Sequence, residues 1–318
     1  MHGREMTPRL WVTEEITENE LYSHGVVRVI AQRRSAFQEM LIVESCDFGR
    51  ALILDGVWQT SVLDEFMYHE PLVLPPLMAH GDPKRVLVMG GGDGGSLREV
   101  LKWPGVERAV LVDIDPEVVA LCREHLTEIH QGAFDDPRAE VLITDALEYV
   151  AQTGERFDVI ISDLTDPLED GPAFKLFTAE HLENCRKLLT ERGFFSMQAG
   201  SCSPVKVHIH ARVVNTVKAV FPHATHYLSH TPTYGVPLGF ALAGKEPLDS
   251  LLARSPEELD ALLASRTSGG WKYLDGQALQ GLLRPPKYVR DLVEAETTVY
   301  TLAAPPSIHI RGILGDSE

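Results

Sequence analysis

Residues 85–102 read RVLVMGGGDGGSLREVLK. The run RVLVM has the short apolar character of a parallel strand buried on both faces. A glycine-rich turn follows it, and LREVLKW (97–103) then has the spacing of a helix. Gly90, Gly92 and Gly95 keep the G-x-G-x-x-G pattern that usually cradles a pyrophosphate. Asp93 stands in the middle of that turn, where a pyrophosphate would be repelled. The loop asks for a ligand that accepts a negative charge close by.

Strand and helix go on alternating downstream. AVLVDID (109–115), AEVLITD (139–145), FDVIISDL (157–164) and FFSMQAG (194–200) read as strands. PEVVALCREHL, ALEYVAQ, TAEHLENCRKLL and a long helix within 205–221 read as the helices between them, with Asp115-Pro116 as N-cap and first-turn pair. This alternation predicts a parallel sheet covered by helices on both faces. THYLSHTPTYG (225–235) and LGFALAG (238–244) read as two antiparallel strands at its edge.

Upstream, RVIAQ (28–32), MLIVES (40–45) and ALILDG (51–56) predict a small antiparallel β unit within residues 1–60. DEFMYHEPLVLPPLMAH (64–80) reads as a helix that leads, through HGDPK (80–84), into the second module. The division is 1–80, an N-terminal β domain with its linking helix; 81–245, the α/β domain; and 246–318, a helical extension. In that extension Ser255 and Glu258 have capping-box spacing, RPPKYVRDLVEAE (284–296) reads as a helix, and the last dozen residues are expected to be mobile.

The chain has 318 residues, 44% hydrophobic and 24% charged, as in an ordinary soluble globular protein. A formal net charge of -17 argues against a nucleic-acid partner and is compatible with cationic ligands. Cys46, Cys122, Cys185 and Cys202 lie far apart without a CxxC pair, which argues against a zinc ribbon or disulfide framework and suits a reducing cytoplasm. The first twenty residues are charged and carry no apolar signal core, and no apolar run reaches membrane-helix length. A cytoplasmic protein with no membrane partner is expected.

In an open α/β sheet, ligands bind beyond the carboxyl ends of the strands. Carboxylates stand at four of those ends: Asp93 in the loop after the first strand, then Asp113, Asp145 and Asp163, with Asp166 close behind. Asp113 follows the glycine loop by about 20 residues, where an acid accepts hydrogen bonds from ribose hydroxyls. Asp145 could receive an adenine amino group, although helix capping also explains it. Asp93 could bind an ammonium or lie near a sulfonium. Asp163 and Asp166 could converge on one cationic group, although an Asx turn before Pro167 explains their spacing too.

With the segments AFQEMLIVES, LILDGVWQTSVLDEFMYHE, LVDID, ITDALEYV, ISDLTDP and TPTYG in this order around the glycine loop, roughly residues 20–245 resemble the polyamine aminopropyltransferases, the spermidine synthase family. The resemblance implies a Rossmann-like, methyltransferase-type doubly wound α/β sheet with a small N-terminal antiparallel β domain. It implies transfer of an aminopropyl group from decarboxylated S-adenosylmethionine to an amine, with loss of 5'-methylthioadenosine. The donor is a co-substrate, and no cofactor or metal is expected. Carried over residue by residue, Asp163 is the catalytic acid/base. The donor contacts are Gly90, Gly92, Asp93 for the ammonium, Asp113 with Gln38 for the ribose, Asp145 for the adenine, and His69. The acceptor contacts are Gln59, Tyr68, Asp166 and Tyr234. The β domain implies a homodimer or homotetramer, and LEDGPAFKL (168–176) implies a lid over the substrates.

One segment departs from the family pattern. After PTY the common spermidine synthases have Pro-Ser-Gly, whereas here Gly235-Val236-Pro237-Leu238-Gly239 stands. HQGAFDDPRA, DLTDPLEDGP and MQAG also look like branches that use agmatine or longer amines. Putrescine is the default acceptor, with spermidine or agmatine as alternatives. An NAD-dependent dehydrogenase leaves Asp93 unexplained, and the carboxylate of a methyltransferase's S-adenosylmethionine would also be repelled there. A non-catalytic polyamine-binding protein would need no adenosine contacts at Asp113 and Asp145. For a metal enzyme, His208 and His210 would have to share a face, but they sit in a helical pattern where they diverge.

Overall fold

The computed structural model describes residues 7–165 and 173–306, and the backbone of 311–316. β1 (Leu10–Thr17), β2 (Glu20–Arg34), β3 (Glu39–Ser45), β4 (Arg50–Leu54) and β5 (Val57–Ser61) form an antiparallel meander. The expected strands at 28–32, 40–45 and 51–56 fall largely within β2, β3 and β4. Asp55 and Gly56 turn β4 into β5 with φ of 49° and 80°, the left-handed pair that a two-residue hairpin requires. One face of this sheet sets Met40, Ile42, Leu52 and Leu54 against Val118, Leu121, Leu126 and Ile129 of the next module.

Between the two modules runs α1 (Phe66–His80), buried continuously from Tyr68 to Ala79. It carries Pro71, Pro75 and Pro76. A proline has no N–H, so each one strips the carbonyl four residues earlier of its helical partner. Those carbonyls belong to Met67, Pro71 and Leu72. Each receives a side-chain hydroxyl instead: Ser229 on Met67, Tyr227 on Pro71 and Ser196 on Leu72, all at 2.8 Å. The hydroxyls come from the central sheet, so the defects that prolines make in α1 become its anchors.

That sheet contains β6 (Arg85–Gly90), β7 (Arg108–Asp113), β8 (Ala139–Ile143), β9 (Phe157–Asp163), β10 (Leu189–Ser201), β11 (His223–His230) and β12 (Pro237–Gly244). Their spatial order is β11-β12-β10-β9-β6-β7-β8. The five strands from β10 to β8 are parallel, and β12 and β11 close one edge antiparallel. This is the parallel sheet that the alternation predicts, in the Rossmann-like, methyltransferase-type form that the resemblance implies. Its helices are α2 (Gly95–Leu101), α3 (Pro116–His125), α4 (Thr127–His130), α5 (Ala146–Gln152), α6 (Ala179–Leu188) and α7 (Val207–Val220). α1 and α2 pack on one face, and α5, α6 and α7 on the other.

After residue 245 come α8 (Asp249–Leu252), α9 (Pro256–Arg266), α10 (Gly276–Leu282) and α11 (Lys287–Ala295). The Ser255–Glu258 capping box is formed. Leu251, Leu259, Leu274 and Leu279 join the core beside α1, while Val289 and Val293 of α11 join the opposite one. The carboxylate of Glu70 in α1 accepts the N–H groups of Lys272, Tyr273 and Leu274, tying the extension to α1. The expectation for the last dozen residues is corrected in part. Arg311–Asp316 form β13, which pairs antiparallel with β1 and becomes the edge of the N-terminal sheet. Cys46, Cys122, Cys185 and Cys202 form no disulfide. Among the described residues no helix is long and apolar enough to cross a membrane.

Candidate active site

The strand order reverses between β6 and β9, the place where an open sheet leaves a crevice for ligands. At the mouth of that crevice Gly90 of β6 is in register with Asp163 of β9. The glycines of the loop make room for the protein's own side chains. A Cβ on Gly91, whose φ is +70°, would stand 2.7 Å from Asp163 Oδ2. One on Gly95 would run into the His69 ring, and one on Gly92 would stand 2.7 Å from Asp113 Oδ2. Three ionisable groups are thereby packed directly against the loop backbone.

Asp163 is the centre of the cluster. Tyr68 donates its hydroxyl to Asp163 Oδ1 at 2.8 Å, while Oδ2 is buried without a hydrogen-bond partner among the described residues. Burial, and then the charge of Asp93, push the Asp163 carboxyl above its usual value against the pull of His69. Asp93 Oδ1 accepts the Gly95 N–H at 2.8 Å, and its Oδ2 lies 3.4 Å from His69 Nε2. The other nitrogen of that ring, Nδ1, is 2.7 Å from Glu65 Oε2. Burial works against a charged ring here, but Asp93 and Glu65 outweigh it and raise His69 well above the ordinary histidine value. His69, Asp93 and Asp163 each offer one ligand atom within 4.8 Å of the others. That spacing suits a small cation, whether a metal ion or a primary ammonium, whose three N–H groups need three acceptors.

Tyr234 flanks the cluster, its ring perpendicular to that of Tyr68 with centroids 5.9 Å apart. Its hydroxyl donates to the backbone carbonyl of Gln59 at 2.6 Å, and the Gln59 amide donates to the Val57 carbonyl at 3.1 Å. Asp64 fixes the turn that presents Tyr234, accepting from Thr233 N–H at 2.9 Å and from the Ser61 hydroxyl at 2.5 Å.

On the other side of the loop Asp113, half-buried at the end of β7, accepts the Asp115 N–H at 2.9 Å. Burial, with Asp115 adding repulsion, pushes its carboxyl up to about 6. Gln38 reaches this neighbourhood from the N-terminal sheet, but its amide donates to Asp115 Oδ2 at 2.9 Å, one link away from Asp113. Asp115 is engaged because it caps α3, accepting from Glu117 N–H. Asp145 likewise caps α5, accepting the Leu147 N–H at 2.7 Å, so the capping explanation of that position is realised.

The structure thus brings together Tyr68, His69, Asp93, Asp163 and Tyr234, with Asp113 beside Gly92. Asp166 and most of the expected lid lie outside the described residues. His208 and His210 do not share a site: His210 is fully buried against His226 at 3.1 Å, and burial drives both rings of that pair to low values. Sequence reading passed over Glu65, Arg98 and Glu99. Arg98 Nη1 and Nη2 grip the two Glu65 oxygens at 2.9 and 2.8 Å, and Arg98 also bonds Glu99. Against the cost of burial, His69 and Arg98 bring the Glu65 carboxyl down to about 2. Charged residues inside apolar helical runs, as in SLREVL and DEFMY, were the available signal.

Two family models match the chain. Residues 10–61 match a spermidine synthase tetramerisation domain, and residues 65–250 match a spermine/spermidine synthase domain. The chain belongs to the spermine/spermidine synthase family. The enzyme is therefore an aminopropyltransferase, as the motif order implied. A polyamine aminopropyltransferase of a Synechococcus species is 48% identical over 305 residues, covering 94% of this chain and 97% of the relative. Another, from Aeropyrum pernix, is 42% identical, covering 92% and 93%. The fold is similar to that of a spermidine synthase solved in complex with the transition-state analogue AdoDATO, with a TM-score of 0.84 and 35% identity over 93% of this chain and 99% of that one. The larger matched segment runs from Glu65 through the glycine loop, Asp163 and Tyr234, so the whole cluster lies inside it.

Proposed function

We propose that this enzyme transfers the aminopropyl group of decarboxylated S-adenosylmethionine to putrescine, giving spermidine and 5'-methylthioadenosine. The observation that carries this reading is the convergence of Asp93, Asp163 and Tyr68 beside a glycine loop that has Asp113 on its far side. Such a site offers acids for ammonium groups at one end and an acid for a ribose at the other. The same order of parts suits a nucleoside bearing an amine.

The reaction is a displacement at the carbon next to the sulfonium, and the sulfur leaves with the electron pair of the broken C–S bond. No covalent enzyme intermediate is needed. The protein must align the two substrates, exclude water and take a proton from the attacking ammonium, which has no lone pair until it loses one. Asp163 suits the proton transfer: Tyr68 holds one of its oxygens, the other has no hydrogen-bond partner among the described residues, and its raised pKa makes it a better base than an ordinary carboxylate. Tyr68 and Tyr234 would orient the acceptor nitrogen, together with Gln59 and Asp166. Asp93 and His69 would receive the donor's ammonium. Gly90, Gly92, Asp113 with Gln38, and Asp145 would border the adenosine.

The division into an N-terminal β domain (1–80), a catalytic domain (81–245) and a helical extension (246–318) is part of the same proposal. So is assembly into a homodimer or homotetramer, supported by the tetramerisation domain matched at 10–61. Acceptor choice has its own clue. Gly235 has φ of +68°, and a Cβ there would stand 2.7 Å from the Tyr22 ring, so this altered segment is pressed against the N-terminal sheet beside Tyr234. Competing putrescine, agmatine, cadaverine and spermidine for limiting donor, with products identified by mass and isomers separated by chromatography, tests the assignment. Spermidine should dominate. A dominant product from agmatine or spermidine would replace putrescine as the acceptor.

A further inference from the structure

Glu65 lies one layer behind the cluster, only 2% exposed. Its two oxygens are fixed by Arg98, which is itself held by Glu99 and by the Ile129 carbonyl at 2.5 Å. Glu99 in turn pairs with Lys102 at 2.7 Å. Alternating charges thus run inward from Lys102 through Glu99, Arg98 and Glu65 to His69 and Asp93. Such a row leaves Glu65 no freedom to swing away from the imidazole. The ring itself packs against Gly95, in space that a Cβ there would take.

Both ring nitrogens of His69 face a carboxylate: Nδ1 faces Glu65 at 2.7 Å and Nε2 faces Asp93 at 3.4 Å. A neutral imidazole donates from only one nitrogen, so the pair of acceptors is matched only by the charged ring. The other groups facing it are Tyr68, whose ring meets it edge-on at 5.2 Å, and Asp163, with Arg98 behind Glu65. His69 therefore occupies the place of a cation beside Asp93.

We propose that Glu65, clamped by Arg98, is a positioning residue that keeps His69 as an imidazolium counter-ion to Asp93, and that the donor's ammonium expels one proton from His69 on binding. The donor half of this statement rests on the function proposed above. A primary ammonium brings three N–H groups, and Asp93, Asp163 and His69 present one acceptor atom each within 4.8 Å of one another. Nε2 becomes an acceptor only when its N–H bond breaks and the proton passes to solvent. Nδ1 keeps its proton on Glu65. If the ring kept both protons, two cations would meet and one ammonium N–H would lack a partner.

Calorimetry in buffers of different ionisation enthalpy counts the protons. Titrating the full chain near neutral pH with decarboxylated S-adenosylmethionine, without amine, should release close to one proton per donor bound. Methylthioadenosine, which has no ammonium, should release close to none. Glu65→Gln, which leaves Nδ1 a neutral acceptor, should abolish the release, and Asp163→Asn should keep it. Equal release with both ligands, no release with the donor, or full release in Glu65→Gln would overturn the proposal while leaving aminopropyl transfer intact. If the donor did not bind, the proposed function would fail instead. The positioning claim would then be judged by histidine 15N NMR on the ligand-free wild-type chain, the His69 signal being the one lost in His69→Gln. An imidazolium at neutral pH supports the claim, and a neutral ring overturns it.

Discussion

Asp163 has one carboxylate oxygen held by Tyr68 and another that no described residue satisfies, an arrangement that a buried acid keeps only at some cost. Asparagine at 163 can still accept the Tyr68 hydroxyl but cannot take a proton. Asp163→Asn should lower kcat by about 10²–10⁴, with the thermal midpoint little changed. Turnover near the wild-type rate would remove Asp163 from the mechanism. Asp113 gives the pH dependence. Its folded-state value of about 6 lies above the unfolded carboxylate value, so its stabilising contribution is complete below the unfolded value and is lost as pH rises through about 6. Asp113→Asn should therefore raise the unfolding midpoint at pH 8, by on the order of 1–3 kcal/mol of stability, and change it little at pH 4. In the wild-type enzyme the donor KM should rise as pH falls through about 6, where Asp113 stops being an anion. Both Asp113 and Asp163 were legible as acids at strand ends. Glu65 and Arg98 stood out only as charges inside apolar helical runs; their pairing was not legible, because it leaves no spacing in the sequence and is set by how α1 meets α2.

In α1, which presents Tyr68 and His69, three prolines break the helical ladder. Its three orphaned carbonyls are each taken by a hydroxyl from the central sheet. Tyr227→Phe keeps the ring and removes only the partner of the Pro71 carbonyl. The unsatisfied buried group should cost about 1–3 kcal/mol, read as a lower urea midpoint with an unchanged m-value. No loss of stability would mean that the hydroxyl is not an anchor. The alternating pattern from 85 onward made the parallel sheet legible, since period and strand-end acids are local features. The anchoring of α1 was not, because Ser196, Tyr227 and Ser229 meet their carbonyls across more than a hundred residues of chain. Nor was β13, whose pairing with β1 joins the two ends of the chain.

Taken as a whole, the molecule sets an N-terminal sheet beside the mouth of a nucleotide-type sheet. Tyr22 donates to the Pro232 carbonyl and His24 bonds the Thr233 carbonyl, so the first sheet buttresses the turn that presents Tyr234. The proposed assembly through this sheet predicts that the chain elutes at two or four times its own mass at micromolar concentration. A monomer that is fully active would separate assembly from catalysis. Acceptor identity was the least legible property: the altered segment proposed to shape it packs at Gly235 against Tyr22, a long-range contact that no single motif encodes. The central claim is chemical, and one measurement reaches it directly. The purified chain is incubated with decarboxylated S-adenosylmethionine and putrescine, and both products are quantified by mass spectrometry. Methylthioadenosine and spermidine should appear in equal amounts and only when both substrates are present. Failure to form methylthioadenosine with putrescine or with any other amine would contradict the account.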